Sequence, residues 1–187
     1  LDRRVCGHAR KRPALTQGQG QALRANSPAR ARPLVRHVPV LQMFARGANE
    51  QTGVMPARIA TVQDGAVVAE LLTAFNREFG TGVPPLDVLA ARFRRLLLRA
   101  DVWVLLSVAP DPVGFAFVTT RPSPYYDGPI AALDEMYLAP TRRGQGLGSE
   151  LMALLATEAR RRGVGEIQIN VDEGDQDARR FYESHGF

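Results

Sequence analysis

Six residues, Arg143-Gly144-Gln145-Gly146-Leu147-Gly148, lie between an apolar run from Ile130 to Leu138 and an amphipathic pattern that begins near Gly146. Glycines at 144, 146 and 148 carry no Cβ, so the main chain can come close to a ligand. The first free N–H groups of the following helix would point at that ligand, and the helix dipole favours negative charge there. The chemistry this spacing predicts is a phosphate cradle. A P-loop would end in Gly-Lys-Ser/Thr, but Gly148 is followed by Ser149-Glu150 with no lysine to reach a terminal phosphate. A dinucleotide fingerprint would close with a third small residue, where this chain has Ser149, and the unit lies late in the chain, after several strands.

Asp134 and Glu135 are adjacent acids inside the apolar run, and Tyr182 follows Phe181 in the final helical pattern. Strand alternation sends the two acids to opposite faces. Glu135 shares parity with Leu133 and Tyr137, and Asp134 with Met136 and Leu138. Only one acid can then face a given ligand, and parity does not name it; a surface or salt-bridged carboxylate is the alternative for either. Cys6 is the only cysteine, and His8, His37 and His185 are scattered. No disulfide within the chain, no cysteine nucleophile in the domain and no metal site is expected, and a reducing, cytoplasmic setting is inferred.

The elements that must position these groups can be read in order. Arg58 to Thr61 is a short strand candidate, and Asp64 offers an N-cap to a helix with Val68, Leu71, Leu72, Phe75 and Phe79 on one face, stopped by Gly80. Pro84-Pro85 opens a second helix with Leu89, Phe93, Leu96 and Leu97 inward, and Arg92, Arg95 and Arg99 on a solvated side. Val102 to Ser107 and Val113 to Thr120 read as a hairpin across Pro110-Asp111-Pro112. A proline-rich loop bearing Tyr125 and Tyr126 leads into the strand ending at Leu138. A helix from Gly146 to Arg162 follows, with Leu147, Leu151, Leu154 and Leu155 as its core stripe. Ile167, Ile169 and Val171 alternate with polar residues as a half-buried strand, and Asp175 can cap a last helix. The order βααβββαβα is mixed α/β.

Charge is uneven. Residues 1–54 hold ten of the 24 Lys/Arg and two of the 19 Asp/Glu, leaving 14 basic and 17 acidic groups in residues 55–187. The net charge of +5 therefore belongs to the first 54 residues, read as a mostly disordered basic extension with Pro13, Pro28, Pro33 and Pro39, ahead of a domain at 55–187. The extension is read as having no role and preceding a start at Met55; a basic arm for nucleic acid or membrane, or an organelle presequence, are the competing readings. No run of about 18 apolar residues suggests a membrane span, so the protein is expected to be soluble.

Arg143-x-x-Gly146-x-Gly148, flanked by Leu133-Asp134-Glu135-Met136-Tyr137-Leu138 and by Phe181-Tyr182-Glu183-Ser184-His185-Gly186-Phe187, resembles the signature of the acyl-CoA N-acyltransferase (GNAT) superfamily. The resemblance is strongest over residues 130–187 and extends back to about Met55. It implies the GNAT fold, direct transfer of an acetyl group from acetyl-CoA to an amine in a ternary complex, and no metal. It places residues Gly144 to Ser149 (with Gln145, Gly146, Leu147 and Gly148) around the pyrophosphate, with Arg143 adding charge and Arg142 solvated. The backbone of Met136, Tyr137 and Leu138 would form the pantetheine-binding edge. Glu135, or Asp134, would be the base, and Tyr182 would lie near the departing sulfur. Asp175 stands where relatives often carry a cofactor-touching Asn, with helix capping as the alternative. Members typically add two more strands; their lack after Phe187 leads to an expectation of a C-terminal truncation, an unpaired last strand and a partly unwalled acceptor pocket.

The acids Asp172, Glu173, Asp175 and Asp177 motivate a cationic acceptor of polyamine or aminoglycoside type, and Glu173-Gly174-Asp175 distantly resembles aminoglycoside 3-N-acetyltransferases. A small molecule or a protein could carry the amine, and the family resemblance allows a homodimer. The rival readings are an inactive CoA-binding regulatory domain and a nucleic-acid-associated protein acting through the basic arm.

Overall fold

The computed structural model describes residues 33–43 and 57–187. Six strands form one sheet: β1 (Pro33–Pro39), β2 (Ala57–Ile59), β3 (Val102–Val108), β4 (Pro112–Arg121), β5 (Ile130–Leu138) and β6 (Glu166–Asp172), in the order β1-β6-β5-β4-β3-β2. The helices are α1 (Val40–Met43), α2 (Gly65–Glu78), α3 (Leu86–Leu96), α4 (Leu147–Arg161) and α5 (Gln176–Ser184). All neighbouring strands run antiparallel except β5 and β6, which are parallel.

The continuous apolar run of β3 reflects burial on both faces of the sheet. Trp103 and Leu105 join the core built with Leu151, Leu155 and Tyr182 of α4 and α5, while Val104 and Leu106 join the one built with Val68, Leu89 and Phe93 of α2 and α3. Two helical layers thus sandwich the sheet, and the expected mixed α/β order is present.

The outer edge of β6 differs from expectation. Pro33–Pro39, which the composition assigned to a disordered extension, pairs with all of β6 from Asp172 to Glu166. The physical reason is visible in the side chains. Val38 and Val40 are buried beside Ile167 and Ile169. Arg36 lies along the same face and reaches Glu183 at 2.8 Å and the Phe187 carbonyl at 3.3 Å. Four prolines and many arginines hid a short apolar alternation, Val38 and Val40 inward, which satisfies an edge that would otherwise be bare. The rest of residues 1–54 lies outside the described residues.

Asp64 also plays a different part. Its carboxylate accepts from the Thr61 amide at 2.7 Å and from both terminal nitrogens of Arg58 at 2.8 and 2.7 Å, closing a 3-10 turn before α2. It makes no side-chain bond to the amides of α2. Tyr126 anchors the proline-rich loop, donating to Glu166 at 2.7 Å.

Candidate active site

The glycine turn is open. Gly144 and Gly146 have φ of +72° and +85°, and a Cβ built on either meets nothing within 4 Å. Gly146 is the N-cap of α4, whose first bond is Glu150 N–H to the Gly146 carbonyl at 3.2 Å. Main-chain N–H groups from Gly144 to Ser149 therefore have no backbone acceptor among the described residues, which is the arrangement that binds an anion at a helix start. Gly148 serves another purpose. A Cβ there would stand 3.0 Å from the Phe181 ring and 3.4 Å from Leu138, so its lack of a side chain lets α4 seat against α5 and β5.

Arg143 does not reach the turn. Its guanidinium donates to both Glu78 oxygens at 2.9 and 2.8 Å and through Nε to the Leu138 carbonyl at 3.0 Å, lying over the Tyr137 ring. Glu78 on α2 neutralises the charge expected for the cradle. Arg142, expected to be solvated, is half-buried and donates to the Ala109 carbonyl. The Gln145 side chain folds back onto the Thr141 carbonyl at 3.1 Å. Ser149 bonds His185 at 3.2 Å, and His185 in turn bonds the Phe181 carbonyl and stacks on its ring. Asp175 accepts the Ala178 amide at 2.9 Å, which is helix capping, the alternative raised above.

The strand carrying the two acids is irregular at the position that matters. Val118 pairs with Leu133 and Phe117 with Glu135, so Asp134 is an extra, bulged residue. Parity therefore does not carry across it. Ala131 and Leu133 face α4 and α5, but beyond the bulge Glu135 and Tyr137 face α2 and α3, while Met136 and Leu138 face α4. Asp134 accepts from the Thr119 hydroxyl at 2.6 Å. Thr119 shares the face of Phe115 and Phe117 on β4, so both acids lie on that side. The expectation of opposite faces is corrected.

Glu135 is half-buried and lines a cavity of about 220 Å³ between β4, β5, α2 and α3. Burial, and then the neighbouring Asp134 charge, push its carboxyl above the ordinary carboxylate value.

Pairing of β5 with β6 stops at Leu133 and Ile169, so the two strands part and the β6-facing edge of Asp134 to Leu138 is released. Tyr182, buried on α5, lies on the α4 side of this cleft. Its pKa is pushed up to about 12, by burial first and then by the charges of Asp175 and Glu135. Among the described residues its hydroxyl takes no hydrogen bond. The cradle, the released edge of β5, Glu135 and Tyr182 are thus brought together, whereas the side chains of Arg143 and Asp175 are committed elsewhere. Sequence reasoning missed Glu78, Phe181 and the cavity walls. Leu72, Leu89 and Phe93 sat on the recognised helix faces, but nothing in the pattern marked a gap between them.

The model for the family described as acetyltransferase (GNAT) matches residues 68–187. The chain belongs to this family. Similar proteins include an aminoglycoside N(6')-acetyltransferase type 1 from Klebsiella aerogenes, 40% identical over 68 residues, which are 34% of this chain and 45% of that one. Mycothiol acetyltransferase from Thermobispora bispora is 39% identical over 61 residues, 33% of this chain and 21% of that one. The matches thus span less than half the length of these curated relatives. The crystal structure of a candidate acetyltransferase from Arthrobacter sp. FB24 aligns with a TM-score of 0.67 at 47% identity, covering 74% of this chain and 88% of that one. GNAT enzymes use acetyl-CoA, and the open amides of residues 144–149 could hold its diphosphate. No helix among the described residues is long and apolar enough to cross a membrane.

Proposed function

We propose that this GNAT protein is an N-acetyltransferase that moves the acetyl group of acetyl-CoA onto a primary amine held in the same complex. The observation that carries this reading is the cleft where β5 leaves β6, with free amides at the α4 start, a buried phenol on one side and a half-buried carboxylate on the other.

Acetyl-CoA supplies the activated acetyl thioester. The amides of Gly144 to Ser149 hold its diphosphate by hydrogen bonds and by the dipole of α4. Released main-chain groups along Met136 to Leu138 align its pantetheine as an added strand. The protein's remaining task is proton handling. An alkyl ammonium has a pKa near 10.4, so only about one molecule in a few thousand is neutral at pH 7. Glu135, made more basic by its surroundings, accepts that proton, and Asp134, tied to Thr119, acts through its charge on Glu135. The C–N bond then forms as the C–S bond breaks, and the electron pair leaves on sulfur. The second amine proton, released as the nitrogen becomes an amide, ends on that sulfur, so the products are amide and free thiol while Glu135 passes its proton to solvent.

Tyr182 is the group beside that sulfur. Burial pushes its pKa up to about 12, above the ordinary phenol value, which disfavours full proton transfer to a thiolate. The phenol therefore works as a hydrogen-bond donor that stabilises developing negative charge and stays neutral throughout.

Calorimetry with coenzyme A, followed by acetylation of an amine panel with thiol release as readout, tests the proposal. Binding with turnover supports it. Binding without turnover on any amine points to a CoA-binding regulatory domain, and the absence of binding ends the reading.

A further inference from the structure

The cavity at Glu135 has a chemistry of its own. Leu72, Leu89, Phe93, Phe115 and Phe117 form its walls, Glu135 is the only acid lining it among the described residues, and Arg92 stands at its exposed rim. We infer that this cavity receives the acceptor and that the acceptor is a monoamine with a compact apolar or aromatic body, not a polycation. The inference rests on the transferase reading and narrows its substrate class.

Three observations support it. An ammonium entering the cavity finds Glu135 as its one lining carboxylate, Asp134 being exposed on the same face outside the lining and bonded to Thr119; a second ammonium inside the cavity would be left against leucine and phenylalanine or beside the Arg92 guanidinium, unpaired and desolvated. At about 220 Å³ the space lies below the 300–1,000 Å³ range of pockets that enclose drug-sized ligands, so it encloses a compact body and leaves most of a multi-ring aminosugar outside. The acids that suggested a cationic acceptor are partly committed: Asp175 caps α5 and Asp177 pairs with Arg180. Arg92, expected on a solvated face, thereby gains a role. It repels a distal cation and can pair with an anionic substituent on the acceptor.

The test compares kcat/KM for 2-phenylethylamine, n-butylamine, 1,4-diaminobutane, spermidine and kanamycin on the full chain with saturating acetyl-CoA. 2-Phenylethylamine is expected to exceed the diamine and spermidine by at least ~30-fold, in the range that apolar pocket contacts discriminate. A second readout needs no turnover: calorimetric binding of 2-phenylethylamine to protein saturated with coenzyme A, against spermidine. Leu72→Trp, which fills the cavity from a partly buried position, should cut phenylethylamine kcat/KM at least ~10-fold and leave the affinity for coenzyme A unchanged. Preference for spermidine or kanamycin, or an unaffected phenylethylamine rate in Leu72→Trp, overturns this inference alone. Coenzyme A binding with no acetylation of any amine, or no binding at all, overturns the transferase reading and this inference with it.

Discussion

Replacing Gly146 by alanine separates backbone conformation from steric fit. The new Cβ meets nothing within 4 Å, so there is no clash, and the whole effect comes from holding an L-residue at φ +85°. That conformation costs roughly 1–2 kcal/mol for a residue with a Cβ. The strain has two outlets. If the turn keeps its shape, the folded state carries the cost and urea unfolding shows a loss of about 1–2 kcal/mol with CoA affinity intact. If the turn relaxes in the free protein, the amides of residues 144–149 must be drawn back on binding, and affinity for coenzyme A falls by about 5- to 30-fold instead, since 1.36 kcal/mol is a factor of ten. The two losses should together total about 1–2 kcal/mol, measured by denaturant titration and calorimetry on the same preparation. Gly146→Asn should recover much of it, because asparagine tolerates the left-handed region. An alanine variant equal to the parent in both assays would refute the claim that this turn holds its amides by a left-handed N-cap and that those amides bind the diphosphate.

Further expectations follow from the site and from the sheet edge. Tyr182→Phe removes a hydroxyl with no hydrogen-bond partner among the described residues, so stability should hold while kcat falls about 10- to 100-fold at unchanged KM for acetyl-CoA, in line with ~1.5–3 kcal/mol for a bond to a charged group. Glu135 holds its proton more tightly folded than unfolded. Stability of the parent should therefore fall as pH rises from the ordinary carboxylate value through the raised one, and Glu135→Gln should lose both that decline and the acid limb of the kcat–pH profile. Arg143→Ala breaks an exposed pair with Glu78 and should cost under about 1 kcal/mol of stability, with coenzyme A affinity changed less than threefold in calorimetry. Val38→Ala, at a side chain 4% exposed, should cost about 1–3 kcal/mol in urea unfolding, whereas Val35→Ala, 50% exposed on the same strand, should stay within about 0.5 kcal/mol.

Most of the architecture from residue 57 onward was legible because each element carried its own local signal. The stripe Leu151, Leu155 and the alternation Ile167, Ile169, Val171 state their periods directly. The glycine turn was legible for the same reason: three glycines before an amphipathic run have few other uses. What escaped had non-local causes. Strand β1 is stabilised by an edge about 130 residues further on, and composition cannot register a partner so distant. Arg143 looked like a cradle residue until Glu78, 65 residues earlier, claimed it, and Arg92, exposed as its helix face suggested, also borders a gap that no helix pattern reveals.

The bulge at Asp134 is the most consequential of these, since it reverses the meaning of alternation within the site. Were Asp134 a regular paired residue and not a bulge, alternation would make the odd positions of β5 all face α4, and Glu135 would lie in the same core as Leu133 and Tyr182, a charged group inside an apolar layer. The insertion turns Glu135 toward the cavity and Tyr137 into the core of α2 and α3, while Met136 and Leu138 close the layer of α4. It also falls where β5 stops pairing with β6. One irregularity thus sits where the strands part and where Glu135 and Tyr182 are assigned to opposite faces of the sheet. In the proposed reaction the acceptor approaches Glu135 from the α2 and α3 side, the thioester lies toward Tyr182 and the start of α4, and the opening past Leu133 is where they meet.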